Sequence, residues 1–427
     1  MTDKSTLCIQ GPTHQLISSS SEFGLAVRKL HGANDRQILK MPPVYQSVPV
    51  WSFLLRIFLG TSRGRIPVPL FAETLTSLRS RLCSHIRPLL PFVLATFPNS
   101  KKSHSTVYII LNSKPLKMAD QLRSLANPAL LLRLPEIIFP FSSTEPLDFS
   151  EVSRRGFAGG PPPEMPDDML NRVWPFLVTL SKLGLDNVPD MTTFLPPPSD
   201  PSFPRQAMGL QLLLDQMPRR LCRGADCRWT NAYFDVISLR FAQSLDTLSE
   251  DEKPWSWARW KDTSTLDYWV LVRCCFVVPF THTDRPDAQE RSLAFTEETR
   301  RTIEEATGTT DPHRAQRDGL LSDIYAFPRI IRDGPPMDGA KVEDYTYWFC
   351  ALIDAHKPIV DRFGHYPYRN AYFGREDTAG EEEWFEKTGD FARPGKEERE
   401  RLKADFERGV WTGLDERLHG EAKRVSP

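Results

Sequence analysis

Much of what this chain lacks bears on what it can be. No apolar run reaches the length of a membrane span; the stretch from Val50 to Leu59 is broken by Arg56 and is too short to cross a bilayer, so no membrane is expected. Cysteine is sparse, with 7 in 427 residues, an odd number that includes the adjacent Cys274 and Cys275 in an apolar run. That usage excludes a disulfide scaffold and fits reduced thiols in a cytoplasmic setting. Cys222 and Cys227 have no second cysteine pair near them, so a structural zinc site is not expected. The start shows no basic n-region followed by an apolar h-region, which argues against secretion. Alternating strand patterns are scarce, and no 34-residue period runs along the chain. A metal reading of His282, His356, Asp215 and Asp284 has no short-range ligand spacing such as H-E-x-x-H behind it, so neither a metal nor a cofactor is expected.

What is present is uneven. Residues 1–117 hold 15 Lys and Arg against 4 Asp and Glu, a net of +11, and the whole chain is at −1, so the remainder carries −12. The first 117 residues are also rich in Ser and show no sustained helical periodicity. They read as a disordered or weakly folded extension or as upstream sequence ahead of Met118, with a mitochondrial transit segment as the alternative. Gly60-Thr61-Ser62-Arg63-Gly64 fits the G-x-S-x-G nucleophile pattern. That motif requires a helix to follow, and Pro67 and Pro69 oppose one. Nucleic-acid binding is not expected, because the rest of the chain is acidic.

From Met118 the character changes. A Pro-rich lead-in over 118–204 contains Pro161-Pro162-Pro163 and Pro196-Pro197-Pro198, with a helix between them near Asp168 to Leu183 that includes Pro175. Residues 206–217 are apolar almost all round, as in a buried helix, and Pro218 is expected to end it. Over 231–246, Phe234, Ile237, Phe241 and Leu245 form one stripe. Tyr268 to Val278 is continuously apolar and reads as a buried helix or a strand, with Pro279 as its stop. Residues 286–306 form a charged amphipathic helix. Residues 342–363 carry a long three-four apolar spacing that Pro358 should kink. The charged segment 391–427 is expected to contain a last, exposed helix over 395–419.

Three polar segments sit on or just beyond these apolar runs. They are Leu213-Leu214-Asp215-Gln216-Met217-Pro218-Arg219-Arg220; Pro279-Phe280-Thr281-His282-Thr283-Asp284 with Gln289-Glu290-Arg291-Ser292; and His356 through Arg362-Phe363-Gly364-His365-Tyr366-Pro367-Tyr368-Arg369-Asn370 to Gly374-Arg375. Buried polar groups cost free energy unless paired, so groups in such positions are networked or functional. In order and spacing the segments resemble those of the domain of unknown function 924 family over residues 205–390. Its members carry L-L-D-Q-F-P-R-N, P-x-x-H-S-E-D with Q-E-R-S, and H-x5-R-F-G-R-F-P-H-R-N with G-R. The resemblance implies an all-α, tetratricopeptide-like helical array and supplies no activity. Departures are Arg220 in place of Asn, Tyr368 in place of His, and a shortened Thr283-Asp284. The spacer 307–341 is extra.

The candidate ligand-binding residues are therefore Asp215, Gln216, Arg219, His282, His356, Arg362, Arg369 and Asn370. Each has a structural alternative. His356 lies on an apolar stripe, where a histidine with a satisfied ring nitrogen is the commoner finding. Asp215 can simply pair with Arg369 or Arg219. Arg362, Arg369 and Arg375 can be a solvated face, although arginine suits bidentate binding of carboxylate or phosphate. The reading taken from the sequence is a helical binding module for a small anionic ligand or a chain terminus. The alternatives are a hydrolase using Asp215 or His356 as acid or base, and a scaffold whose polar groups only tie helices together.

Overall fold

The computed structural model describes residues 5–8, 92–97, 106–111, 113–155, 166–337 and 339–414. The chain divides into two units, Met1–Asp120 and Gln121–Pro427. In the first, β1 (Ser5–Cys8), β2 (Phe92–Phe97) and β3 (Thr106–Leu111) pair antiparallel in the order β1-β3-β2, with Ser5 and Phe92 on either side of Leu111. The segments Phe-Val-Leu-Ala-Thr-Phe and Thr-Val-Tyr-Ile-Ile-Leu are rich in β-branched and aromatic residues, which pack well on a pleated surface. The G-x-S-x-G motif at 60–64 and most of the segment read as an extension or transit sequence lie outside the described residues.

Among the described residues the second unit is helical throughout. Its main elements are α1 (Ser113–Leu125, which straddles the division), α2 (Pro128–Ile138), α3 (Asp167–Ser181), α4 (Phe203–Leu221) and α5 (Asp235–Asp246). After these come α6 (Leu266–Thr281), α7 (Pro286–Thr307), α8 (Val342–Asp354), α9 (Lys357–Phe363), α10 (Ala379–Thr388) and α11 (Lys396–Glu407). The central helices α4 to α8 run 19, 12, 16, 22 and 13 residues, so neighbours differ widely in length.

α4 is buried from Phe203 to Asp215 except at Arg205. Its closest approach is to α2 at Gly209, where an added Cβ would stand 1.8 Å from the Leu131 carbonyl oxygen. Glycine is required there to let two backbones meet, which outweighs its cost inside a helix. The apolar run 268–278 resolves as helix; α6 is buried on every side from Tyr268 to Thr281. It packs with α4, α5, α7 and α8.

The prolines act differently from their reading as stops. Pro218 lies inside α4, which continues to Leu221, and the Cys222 N–H bonds the Pro218 carbonyl at 2.8 Å. Pro279 lies inside α6, which runs on to Thr281. A proline forfeits its own N–H and crowds the turn before it, but the turn after it can still form. Both helices therefore carry one extra turn or part-turn past the proline; Arg219 lies on the first, and His282 follows the second directly. Pro358 does not kink one long helix either. α8 ends at Asp354 and Pro358 is the second residue of α9, a position where its missing N–H costs nothing. Gly364, at φ 76°, closes α9 in the left-handed conformation.

Candidate functional site

Four chain segments converge. The last turns of α4 supply Asp215, Gln216 and Arg219. A single π turn, Thr230–Phe234, leads into α5 and supplies the Asn231 carbonyl and Asp235. The end of α6 and the residues after it supply His282 and Asp284. The loop following α9 supplies Tyr366, Tyr368, Arg369 and Arg375. A π turn widens the helical ladder by one residue and frees a carbonyl from its regular partner, a distortion often found at functional sites. Here the Asn231 carbonyl accepts from Arg369 Nη2 at 2.6 Å.

Charges alternate through the cluster. The Asp215 carboxylate, with a side chain only 1% exposed, accepts from His282 Nδ1 at 2.8 and 3.0 Å. It also accepts from Gln216 Nε2 at 3.3 Å and lies 3.7 Å from Arg219 Nη1. The same Arg219 nitrogen donates to Asp235 Oδ1 at 2.6 Å and to the Asp215 carbonyl at 3.1 Å. The other oxygen of Asp235 accepts from Arg369 Nη2 at 3.0 Å. Arg369 Nη1 reaches the His282 carbonyl at 3.2 Å and Asp284 Oδ1 at 3.4 Å, while Arg375 holds Asp284 Oδ2 at 3.2 and 3.3 Å. Below this layer, the Tyr366 hydroxyl donates to the Thr281 carbonyl at 2.7 Å and accepts from Gln289 Nε2 at 2.9 Å.

Burial alone would raise the Asp215 carboxyl, but Arg219 and His282 outweigh it and hold its pKa below the usual range. An ionised carboxylate only accepts, so His282 Nδ1 carries a proton and Nε2 lies on the far edge of the ring. Nε2 makes no hydrogen bond to any described residue, and the His282 side chain is 24% exposed. Asp215 and Asp235 keep the Arg219 guanidinium charged despite its burial. Only Nη1 of Arg219 is engaged; Nε and Nη2 make no hydrogen bond among the described residues, and neither is a buried orphan. The Tyr368 hydroxyl sits within the field of Arg369, Asp284, Arg219 and Asp235, and burial raises its pKa so that it stays a proton donor. It too has no hydrogen-bond partner among the described residues. A ring nitrogen, a guanidinium edge and a phenol are thus left without a hydrogen-bond partner among the described residues.

The remaining sequence candidates lie apart from this edge. His356 stands in the joint between α8 and α9, donates Nδ1–H to the Leu352 carbonyl at 2.9 Å, and packs its ring 3.8 Å from that of Phe327. Burial pushes its pKa down to about 3, with nearby His282 adding to the effect, so it is neutral. It shares His282 as a neighbour with Asp215. Asn370 belongs to a second network, donating to Asp377 at 2.9 Å and to Glu381 at 3.0 Å, where His365 also meets Glu381 at 2.7 Å. Arg362 is exposed and makes no ion pair among the described residues; its guanidinium lies 5.9 Å from the Phe363 ring. Arg369 is buried, with both terminal nitrogens engaged and Nε enclosed without a partner.

Asp215, Asp235 and His282 place donor atoms within 4.8 Å of one another, the compactness a metal ion would need. The local charges oppose it. Both oxygens of Asp235 are taken by guanidiniums, and the His282 nitrogen nearest the acids is the protonated one. The set fits an ion-pair network better than a cation. A small cleft bounded by α6, α7 and α8 has Arg273 as its charged residue, whose Nε and Nη2 bond Thr299 at 2.8 Å and the Phe295 carbonyl at 2.6 Å.

Asp235 and Tyr368 are the residues that sequence reasoning passed over. Asp235 is a lone acid beside the apolar stripe of α5, and its only signal is that an acid adjoins buried positions in a helix. Tyr368 was noted only as a departure. No curated protein and no solved structure matches the chain. Residues 198–389 match the family model described as "Bacterial protein of unknown function (DUF924)", which takes in all four converging segments. The helical part of the chain is similar to that family over those residues.

Proposed function

We propose that the family domain binds a small monoanion, either a free carboxylate or a peptide C-terminus, on the open edge of Arg219. The observation that carries this reading is the leftover edge itself. Arg219 spends one nitrogen on the buried acids and keeps Nε and Nη2 unbonded, the paired geometry that grips a carboxylate. Gln216 and Tyr368 supply neutral polar groups beside it. Three arginines face three aspartates in the cluster, so no surplus positive charge remains for a dianion, and a monoanion is the better match.

A second reading has its own support. Every carboxylate of the cluster is paired, as in a scaffold that ties α4, α5, α6 and the loop after α9 together. Arg369, with no outward donor, fits that role and is removed from the ligand contacts on this reading. The test is calorimetric titration of the full chain with acetate, N-acetylglycine and inorganic phosphate. The binding reading expects saturable binding of a carboxylate, weaker binding of phosphate, and at least a tenfold loss in Arg219→Gln. No saturable binding, or binding unchanged in Arg219→Gln, leaves the scaffold reading.

A further inference from the structure

We infer that Asp215 and His282 form a general-base dyad, so that the domain hydrolyses an amide or ester whose carboxylate is held on Arg219; this rests on the binding reading above. The geometry has the parts in order. A buried, ionised acid fixes one imidazole nitrogen at 2.8 Å and so fixes the tautomer and the ring plane. The opposite nitrogen has no hydrogen-bond partner among the described residues, on a side chain that is 24% exposed. This is the arrangement in which an acid orients a histidine to take a proton. Asp215 is a positioning residue; His282 is the group that meets the reacting water.

The nucleophile is water rather than a side chain. Cys275 is the thiol whose electrostatics couple to Asp215, and burial pushes its pKa well above the ordinary value, which leaves it an unreactive thiol. Thr281 is buried and donates its hydroxyl to the Val278 carbonyl at 2.9 Å. The step then balances without any further reactant. Water adds its oxygen to the acyl carbon while its proton passes to His282 Nε2. The oxyanion takes a hydrogen bond from the Tyr368 hydroxyl, which burial keeps protonated. Collapse breaks the bond to the amine or alcohol, which leaves with the proton held by His282, and a carboxylic acid is released. Nothing is oxidised or reduced, and the dyad returns to its starting state.

His282→Asn is the decisive variant. The asparagine amide can donate to Asp215 as Nδ1 does, so the buried acid keeps its partner while the outward lone pair is lost. The full chain is assayed by mass spectrometry for cleavage of a panel of N-acyl amino acids, dipeptides and acyl hydroxy acids, with binding measured in parallel. The expected result is turnover by the wild type and a loss of about 10²- to 10⁴-fold in kcat for His282→Asn with affinity kept within a few-fold. Asp215→Asn, if it folds, should show the same separation of kcat from affinity. Turnover unchanged in His282→Asn overturns the dyad. Binding without turnover across the panel also overturns it and leaves the binding reading standing, whereas absence of both shows that the binding reading itself has failed.

Discussion

Two ion-pair networks in the helical unit invite comparison. One joins α7 to α8 and to the spacer 307–341. Arg300 and Asp354 are at most 1% exposed there, and each Arg300 nitrogen has a partner: Asp311 at 2.7 Å, Thr296 at 3.2 Å and Asp354 at 2.9 Å. Arg317 and Thr296 complete the Asp354 carboxylate at 2.8 and 2.6 Å. The other is the Asp215–Arg219–Asp235–Arg369–Asp284 chain, whose carboxylates are equally satisfied but whose Arg219, His282 and Tyr368 keep atoms without a hydrogen-bond partner among the described residues. A closed network explains itself by the helices it joins. An open one has donors and an acceptor that joining helices does not require, and those are the atoms to test.

The largest expected effect falls on the closed network. Arg300→Ala leaves two carboxylates buried with fewer partners, and breaking a buried pair costs about 3–5 kcal/mol. Urea unfolding of the full chain should show that loss, and ligand affinity at Arg219 should be unchanged in whatever fraction folds. Arg369→Ala should cost a similar amount, about 3–5 kcal/mol, because it strips Asp235 of a buried partner. A loss below about 1 kcal/mol in either would mean that the network is not what holds these segments together.

Next in size is Gly209→Ala. Its new methyl meets the Leu131 carbonyl at 1.8 Å, so α2 and α4 must separate, at about 1–3 kcal/mol for overpacking. A stabilised variant, as expected for an unconstrained glycine in a helix, would contradict the close approach. Arg219→Gln should be smaller still. Its side chain is 25% exposed and Asp235 keeps Arg369, so about 1–2 kcal/mol is expected after allowing for solvent screening. Arg300 and Arg219 are then told apart by binding: the first change lowers stability alone, the second mainly lowers ligand affinity.

The pH dependence of stability gives a further contrast. His356 is held near a pKa of about 3 against an ordinary 6.5, so the unfolded chain takes up a proton that the folded chain refuses. Its contribution is fully present above about 6.5 and is lost as pH falls toward 3, at up to about 1.4 kcal/mol per pH unit. Asp215, held below its ordinary value, adds a loss of the same sign only at more acidic pH. His356→Asn should flatten the slope between pH 6.5 and 4 in urea titrations; an unchanged slope would place the proton uptake elsewhere.

How much of this was legible in the sequence depends on the kind of signal. Periodicity carries the helices, because burial on one face or all faces must appear in the order of apolar residues. The argument that a buried Asp215 needs a cationic partner brings Arg219 to it, and three motif segments do meet around it. The identity of the pairing was not legible. Arg369 passes over Asp215 and takes Asp235, a buried residue at the start of α5 with no motif around it. The oriented histidine is His282, at the end of α6, whereas His356 is the satisfied core histidine that its apolar stripe suggested. The prolines misled because proline chemistry was read as a stop for the turn that follows, when its cost falls on the turn that precedes.

The claim that the open network is a binding site and the closed one is structure is tested most directly by native mass spectrometry of the full chain purified from its own cells. The account predicts a retained non-covalent adduct carrying a carboxylate in the wild type, absent from Arg219→Gln and present in Arg317→Gln. An Arg219→Gln protein that retains the same adduct, or a wild type that carries none and binds no added N-acetylglycine, would contradict it.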